Sequence, residues 1–491
     1  MSLVEIAEGA YVLAPELDGD LVARATQLAA RAAALRSALP QADVVQGGST
    51  LLVLTRDAAA LRDASDAPVP PPPPPSRHHE IEIDYDGPDL AELCEATGLS
   101  AAAVAELHAG PTYTALVCGF LPGFAYLGEI PDALVRPRLA SPRKRVAPGA
   151  VGVAGKLTGV YPFASPGGWS WIGNARQAHL FDEARDPPRR IAVLDTVRFV
   201  PPSDPARPTA GTAPLAAPAP SRPVLEVGRV APIATVQDLG RFGRRGEGLP
   251  TSGALDAETL VAANLAAGNP PGAAAIEIVL GGFAASVIND VTVSLDGEPA
   301  ATLRGGDRLE IPATDRAVRY LALRGGVAAP VVFGSRSTLV VAGLGGSGGR
   351  PLARGDRIGL GEEPVGPPGS SERPALDDEP LELVPSPPDP RLPASALDVL
   401  LGGTYQMSSA LDRLGARLAG PPIPRGAGDL ALPEPVLPGA VQVTGDGSVI
   451  VLGPDAAVTG GYPVLGYLTG PSRSRLARRR SGAAVRFRAR G

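Results

Sequence analysis

The sequence predicts a mainly β chain with some helix, an α+β protein in which a small N-terminal α/β domain precedes β-barrel domains. Three features predict it. From residue 112 onward, short β-rich runs recur between Pro/Gly turns, a rhythm that suits small barrels or sandwiches better than βαβ units. Helical periodicity is confined to a few segments. Two stretches, at 68–75 and 202–222, are so rich in proline, or in proline and alanine, that neither can join a core, and they divide a 491-residue chain already too long for one core.

Taken in order, residues 20–39 place Leu21, Ala25, Leu28, Ala32, Leu35 and Leu39 at alternating spacings of four and three. That is one face of an amphipathic helix, with Asp20 or Asp18 as its cap. A strand-like stretch at 49–55 follows, and six consecutive prolines then favour polyproline II and close a first domain at 1–70. The second domain, 78–201, opens on an alternating strand at 81–85. Two short helices come next, 89–97 stopped by Gly98 and 101–108 stopped by Gly110. The runs 113–118, 151–154 and 191–200 read as strands. Residues 202–222 form a linker, and 223–491 a third region, again largely β and long enough for two barrel subdomains. One clear helix interrupts it at 257–267, capped by Asp256 and ended by Gly268.

Composition excludes several function classes. No stretch of about 18 residues lacks a charge or a turn signal, so no membrane span is expected. The N-terminus has acidic residues where a secretory signal would be basic, and the expected location is cytoplasmic. A net charge of −6 without a basic block argues against nucleic acid. The clustered arginines from 473 to 490 read as a solvated face or a frayed tail. Cys94 and Cys118 lack the spacing of a zinc or redox site and read as small buried hydrophobes. No HxxxH or HExxH spacing exists among the four histidines, so no metal site is expected.

Several motifs carry chemistry. Between 107 and 173 run LHAGPTYTALVCGFLPGFAYLGE, PRLASPRKRVAPGAVGVAG and TGVYPFASPGGWSWIG, where dense Gly and Pro fix a backbone whose amides can converge on an oxygen. The second half carries ATVQDLGRFGRRGEGLPTSGALD, FGSRSTLVVAGLGGSGGRPLARGD, LDRLGARLAG and VTGGYP. The first set resembles the B subunit of 5-oxoprolinase, also described as allophanate hydrolase subunit 1 or the Kip inhibitor family. The second resembles the C subunit of the same enzyme, allophanate hydrolase subunit 2 or the Kip antagonist family. The chain is thus identified as a fused member of the 5-oxoprolinase/urea amidolyase group. The resemblance implies cyclophilin-like barrels and a component of an ATP-dependent amidohydrolase that opens 5-oxoproline to glutamate, using ATP and Mg²⁺ together with a separate A-type 5-oxoprolinase component. Leu157, Asn174, Ala457 and Val458 depart from the pattern that such proteins would show.

Each candidate residue has a functional and a structural reading. His108 is either a general acid/base or a histidine satisfying a helix C-terminus. Phe120, Pro122, Gly123 and Tyr126, with Ser165, Gly167, Gly168 and Trp169, either line a ligand pocket or pin turns. Gln237, Asp238 and Arg241 either orient an amide or phosphate or hold their own loop. Ser335, Arg336, Ser337 and Thr338 suit phosphate, yet also make ordinary turn bonds. Asp412, Arg413 and Arg417 fall at helix spacing. Thr459, Gly460, Gly461 and Tyr462 complete the candidate substrate- and nucleotide-binding set, and His108, Arg241 and Arg336 are the candidate catalytic residues. GLGGSG at 343–348 mimics a dinucleotide loop and GGSGG a nucleophile elbow, but Arg350-Pro351 follows instead of a helix. Without a Walker loop, any ATP must bind through other loops.

Two other functions remain open. One is a biotin-dependent carboxyltransferase acting on urea or a related amide; with methionine only at Met1 and Met407, the chain offers no biotin-attachment site, and carboxybiotin would come from elsewhere. The other is a histidine-kinase regulatory binding protein. A small amide or lactam substrate and an A-type 5-oxoprolinase partner are expected, without nucleic acid or membrane, and homo-oligomer formation is left open.

Overall fold

The structure is a computed structural model that describes residues 2–69, 71, 77–139, 141–176, 179–203, 220–426, 428 and 430–490. Most of the proline run and of the 202–222 linker therefore lies outside the described residues. No helix among them is long and apolar enough to cross a membrane.

The N-terminal domain is an antiparallel sheet of strands Ser2–Ala7, Ala10–Ala14, Leu51–Leu54 and Asp43–Gln46, in that spatial order. Helix Leu21–Ala38 covers it as the periodicity predicts. Asp20 accepts from the Ala23 amide at 2.8 Å, and Leu28, Ala32 and Leu35 bury against Leu13, Leu51 and Val53. Each fully buried leucine contributes about 1.5–3 kcal/mol, which fixes the helix's rotation on the sheet.

Strands His78–Asp84, Tyr113–Cys118, Ala125–Gly128, Ala150–Ala154, Leu157–Val160, Ser170–Ala175 and Thr196–Val200 close into a barrel. Its helices, Leu90–Thr97 and Ala101–Ala109, fall where the sequence places them, the first ended by Gly98 at φ 69°. Of the strand expected at 191–200, only Thr196–Val200 forms. Leu194 takes φ 70°, and the Asp195 amide turns back to the Ala192 carbonyl, so the chain is still turning until it reaches Thr196.

In the second half, the long strands Pro223–Gln237 and Ala275–Val287 organise one sheet, flanked by helix Ala257–Ala267 with Asp256 as its cap. An eight-stranded sheet between Leu381 and Ala489 forms another core, with helices Ala396–Gly402 and Gly470–Arg478. Two expectations are corrected. Asp412 and Arg413 sit in the turn between strands Tyr405–Leu411 and Gly415–Ala419, and Arg417 lies on the second strand, so the helix spacing was coincidental. The C-terminal arginines are not all solvated either. Arg478 and Arg479 are buried, and Arg478 grips Asp256 at 2.8 and 3.0 Å, so the helix cap is also half of a buried ion pair.

The N-terminal sheet also buries Ile6, Ala10, Val45 and Leu52 against Val436, Ala440 and Tyr467 of the second half. The Glu434 carboxylate accepts from both the amide and the hydroxyl of Ser49, at 2.7 and 2.6 Å, and from those of Thr50, at 3.1 and 2.6 Å. Asp43 reciprocates by accepting from the amides of Arg245 and Gly246, both at 2.7 Å. Residues separated by hundreds of positions thus satisfy one another's polar groups, and the two halves meet along a continuous seam.

Candidate functional site

The seam brings together motifs from opposite ends of the chain. The turn after strand Tyr113–Cys118 holds Phe120 at φ 65°, a conformation costing a bulky residue about 1–3 kcal/mol unless its surroundings enforce it. What enforces it comes from the second half, for the Phe120 amide donates to Thr459 Oγ1 at 3.1 Å. At the preceding Gly119, a Cβ would stand 2.2 Å from the same hydroxyl oxygen, so only glycine admits this approach. The Tyr126 hydroxyl bonds the Thr459 side chain too, and burial pushes its pKa up to about 12, which keeps it protonated at neutral pH.

Around this junction Phe120, Phe124, Tyr126, Tyr161 and Trp169 pack edge to face, with Trp169 centred 5.7 Å from both Phe124 and Tyr126. Pro122 and Gly123 complete the tight turn. Gly167 lies under the Tyr161 hydroxyl, where a Cβ would come within 2.7 Å, and the Gly168 carbonyl accepts from the Leu139 amide at 2.8 Å. The wall is mainly apolar, and three polar groups stand near this junction. Ser165 Oγ and Gln442 Nε2 are buried without a hydrogen-bond partner, and Gln442 Nε2 stands 2.8 Å from where a Cβ on Gly460 would be. The Arg138 guanidinium lies against Gly461, and among the described residues no carboxylate pairs with it. Tyr462 borders the same turn, half-buried. Unsatisfied donors beside an unpaired cation, on an aromatic wall, suit a small ligand bearing both a carbonyl and a negative charge.

The other candidates fall elsewhere. Asp238 is saturated: it accepts from the hydroxyls of Ser335 and Ser337, at 2.7 and 2.5 Å, and from the amides of Arg336 and Gly240, at 2.6 and 2.8 Å. Those hydroxyls therefore close a loop onto Asp238. Thr338 donates to the Val236 carbonyl and Gln237 Nε2 to the Thr338 carbonyl, tying the two loops together. Arg241 is fully buried and donates to the Ser337 carbonyl at 2.6 Å, while its Nε and Nη1 have no partner. The Arg336 guanidinium donates to the Ala329 carbonyl and borders a small separate cavity of about 360 Å³. Asp412 accepts from the Leu414 and Gly415 amides in its turn. Arg413 is locked in a buried ion cluster.

His108 is placed in the barrel core, away from the seam. Thr158 Oγ1 donates to the Gly152 carbonyl, so it accepts from His108 Nε2 at 2.8 Å, and His108 Nδ1 in turn accepts from the Tyr85 hydroxyl at 2.8 Å. Burial lowers its pKa to about 3. A neutral imidazole with both nitrogens occupied and no exposure braces the helix end rather than exchanging protons with a ligand.

Sequence reasoning missed Arg138 and Gln442. The string PRLASPRKR was visible, but nothing local distinguishes Arg138 from other arginines. Phe120 was named without its strain, which depends on a residue 339 positions away. The departures are accommodated: Leu157 joins the aromatic cluster, Asn174 donates to Asp86 at 2.7 Å, Ala457 precedes the final motif, and Val458 is buried, its carbonyl accepting from the Val436 amide.

Comparison with known proteins follows the same division. The family described as carboxyltransferase domain, subdomain C and D, matches residues 2–191, and carboxyltransferase domain, subdomain A and B, matches 247–489. The B subunit of 5-oxoprolinase from Haemophilus influenzae is 35% identical over 211 residues, covering 41% of this chain and 97% of that protein. The C subunit from Escherichia coli K12 is 33% identical over 264 residues, covering 49% of this chain and 83% of that protein. The chain belongs to the family of the B and C subunits of 5-oxoprolinase, with both types fused. Within the B-type half, 115 residues are 50% identical to the B subunit of 5-oxoprolinase from Escherichia coli O157:H7, a match spanning 52% of that protein. The crystal structure of TTHA0988 superposes on both halves together, with a TM-score of 0.84, 31% identity, and coverage of 98% of this chain and 99% of that one. The urea amidolyase of Lachancea kluyveri is 37% identical over 155 residues, 28% of this chain and 8% of that protein.

The bond between the two types is directly testable. Thr459→Val keeps the shape of the side chain but leaves the strained Phe120 amide and the buried Tyr126 hydroxyl without their partner. It is expected to cost about 1–3 kcal/mol, read as a lowered midpoint of urea unfolding. An unchanged midpoint would show that the hydroxyl does not hold the turn.

Proposed function

We propose that the seam binds a small acidic cyclic amide, and that the chain is the fused B–C component of an ATP-dependent 5-oxoprolinase, opening 5-oxoproline to L-glutamate together with a separate A-type partner protein. The observation that carries this reading is Thr459 of the C-type half completing the Phe120–Tyr126 turn of the B-type half: the site needs both halves, and relatives of each are named as subunits of that enzyme.

Arg138 offers a bidentate fork for the ligand's carboxylate, and Gln442 Nε2 is a free donor for its ring carbonyl. Tyr161 and Trp169 exclude water from the ring's apolar edge. ATP supplies the phosphoryl group that converts the unreactive lactam oxygen into a leaving group. Donors already fixed at that oxygen stabilise the charge it develops without reorganising. Among the described residues no three His, Cys, Asp or Glu side chains converge to hold a metal ion. A cytoplasmic location accompanies this proposal.

Arg138→Gln tests the reading. Removing a charge-assisted fork is expected to weaken 5-oxoproline binding by about tenfold to a hundredfold while leaving thermal unfolding in place, since Arg138 is exposed. Equal affinity, measured by calorimetric titration of the chain bound to its A-type partner, would remove the seam as the substrate site.

A second reading has its own support in the carboxyltransferase family and the urea amidolyase relative. The same seam would then present an amide nitrogen to a carboxyl group carried in by a biotin protein. Carboxylation of urea by carboxybiotin in the presence of this chain, without glutamate formation from 5-oxoproline, would select it.

A further inference from the structure

The strand that presents Thr459 to the Phe120 turn is short and stands apart from the eight-stranded sheet. Among the described residues Thr459–Gly460 pairs with Glu434–Pro435 alone, Pro435 opposite Thr459 and Glu434 opposite Gly460. One further bond, from the Val436 amide to the Val458 carbonyl at 3.0 Å, extends this ribbon. An isolated two-stranded ribbon is marginal in water at best, so what packs on it must set its position.

What packs on it is the N-terminal domain, which supplies none of the polar groups at the seam. Its loop at 47–50 approaches so closely that a Cβ on Gly47 would collide with the Glu434 carboxylate and the Pro435 ring, and one on Gly48 with the Leu432 side chain. The Gly48 amide donates to the Pro433 carbonyl at 2.9 Å. A carboxylate has about four acceptor positions, and this loop fills them all: Oε1 takes the Ser49 amide and hydroxyl, and Oε2 those of Thr50. Contact therefore runs from the loop through Glu434–Pro435 to Thr459, and from Thr459 to the Phe120 amide. Gly460, opposite Glu434, is the residue that Gln442 Nε2 approaches. Adhesion of the domain does not need the carboxylate, because Ile6, Ala10, Val45 and Leu52 already bury against Val436, Ala440 and Tyr467. Glu434 adds direction.

We propose that Glu434 is a positioning residue for the seam: gripped by Ser49 and Thr50, it sets the ribbon that places Thr459 against Phe120, and gives the N-terminal domain a part in the site. Its consequence for ligand binding rests on the seam being the substrate site; the clamp itself does not.

Glu434→Gln keeps the size of the side chain but sets an NH2 group against one of the two loop amides, donor facing donor. Hydrogen exchange at the Phe120 amide is followed by NMR in the full chain without ligand, and 5-oxoproline is titrated calorimetrically into the chain bound to its A-type partner. In the variant, Phe120 is expected to exchange about tenfold faster or more and affinity to fall about tenfold, while the amides of barrel strand Ala150–Ala154 keep their rates. A merely adhesive Glu434 would instead speed exchange throughout the N-terminal domain and leave Phe120 protected, and that result overturns the proposal. If Glu434→Gln does not fold, Ser49→Ala combined with Thr50→Val, which removes two donors from the opposite side, must speed Phe120 exchange in its place; unchanged exchange there overturns the clamp as well. Because exchange is read without ligand, a parent that bound no 5-oxoproline would end the seam reading while Phe120 still decided the clamp.

Discussion

Arg413→Ala is expected to destabilise the protein by about 3–5 kcal/mol, because it strips the counter-ion from two buried carboxylates at once. Arg413 Nε and Nη2 hold Asp455 at 2.8 and 2.9 Å, Nη1 holds Glu277 at 2.5 Å, and Nη2 also donates to the Gly253 carbonyl at 2.6 Å. Glu277 and Asp455 hold its pKa above the ordinary value against the opposing effect of burial. The carboxylates would retain only neutral donors, Tyr320 and the Leu255 amide on Glu277 and Ser252 on Asp455. This arginine ties strand Ala275–Val287, which carries Glu277, to the eight-stranded sheet that carries its own turn and Asp455, and Asp455 lies four residues before Thr459. The loss should therefore reach the seam, with Arg413→Ala lowering both the calorimetric unfolding temperature and ligand affinity. Arg413→Lys should recover little, since one ammonium cannot span both carboxylates. A stable Arg413→Ala protein would mean that the cluster does not hold the two sheets together.

Acidification should weaken the barrel through His108. In the unfolded chain the imidazole takes a proton near its ordinary pKa of 6.5, and in the folded barrel only near 3. Between those values the unfolded state binds more protons, so the stabilising contribution is complete above pH 6.5 and is lost as pH falls towards 3. The loss amounts to about 2 kcal/mol at pH 5. His108→Gln keeps an acceptor and a donor for Tyr85 and Thr158 but cannot titrate, so it should show a flatter stability profile between pH 7 and 5. Parallel profiles for the two proteins would contradict a buried, neutral His108.

Helices and caps were legible because their determinants are local. The spacing of Leu28, Ala32 and Leu35, and Asp256 ahead of residues 257–267, carry the pattern within a single turn or two. The misreadings share a cause, which is a partner far along the chain. Arg478 looked solvated because Asp256 is 222 residues away, and Asp412, Arg413 and Arg417 looked helical because a turn and a strand happened to repeat the spacing. At the site, the motifs around Phe120 and Thr459 could each be named from sequence. Their union could not, since Gly119 reveals its purpose only when the Thr459 hydroxyl is seen against it. Gln442 and Arg138 stayed hidden for a related reason: what marks them is an absent partner, and only three-dimensional surroundings reveal that.

The central claim is that two fused halves complete one lactam-opening site, and reconstitution tests it most directly. The purified chain is mixed with an A-type 5-oxoprolinase protein, ATP, Mg²⁺ and 5-oxoproline, and glutamate and ADP are measured with each component omitted in turn. Glutamate formation that requires both proteins and ATP, and that falls in Arg138→Gln, is the predicted result. No glutamate, with the partner shown to be folded and bound, would contradict the account and leave carboxyl transfer to a urea-like acceptor as the activity to measure.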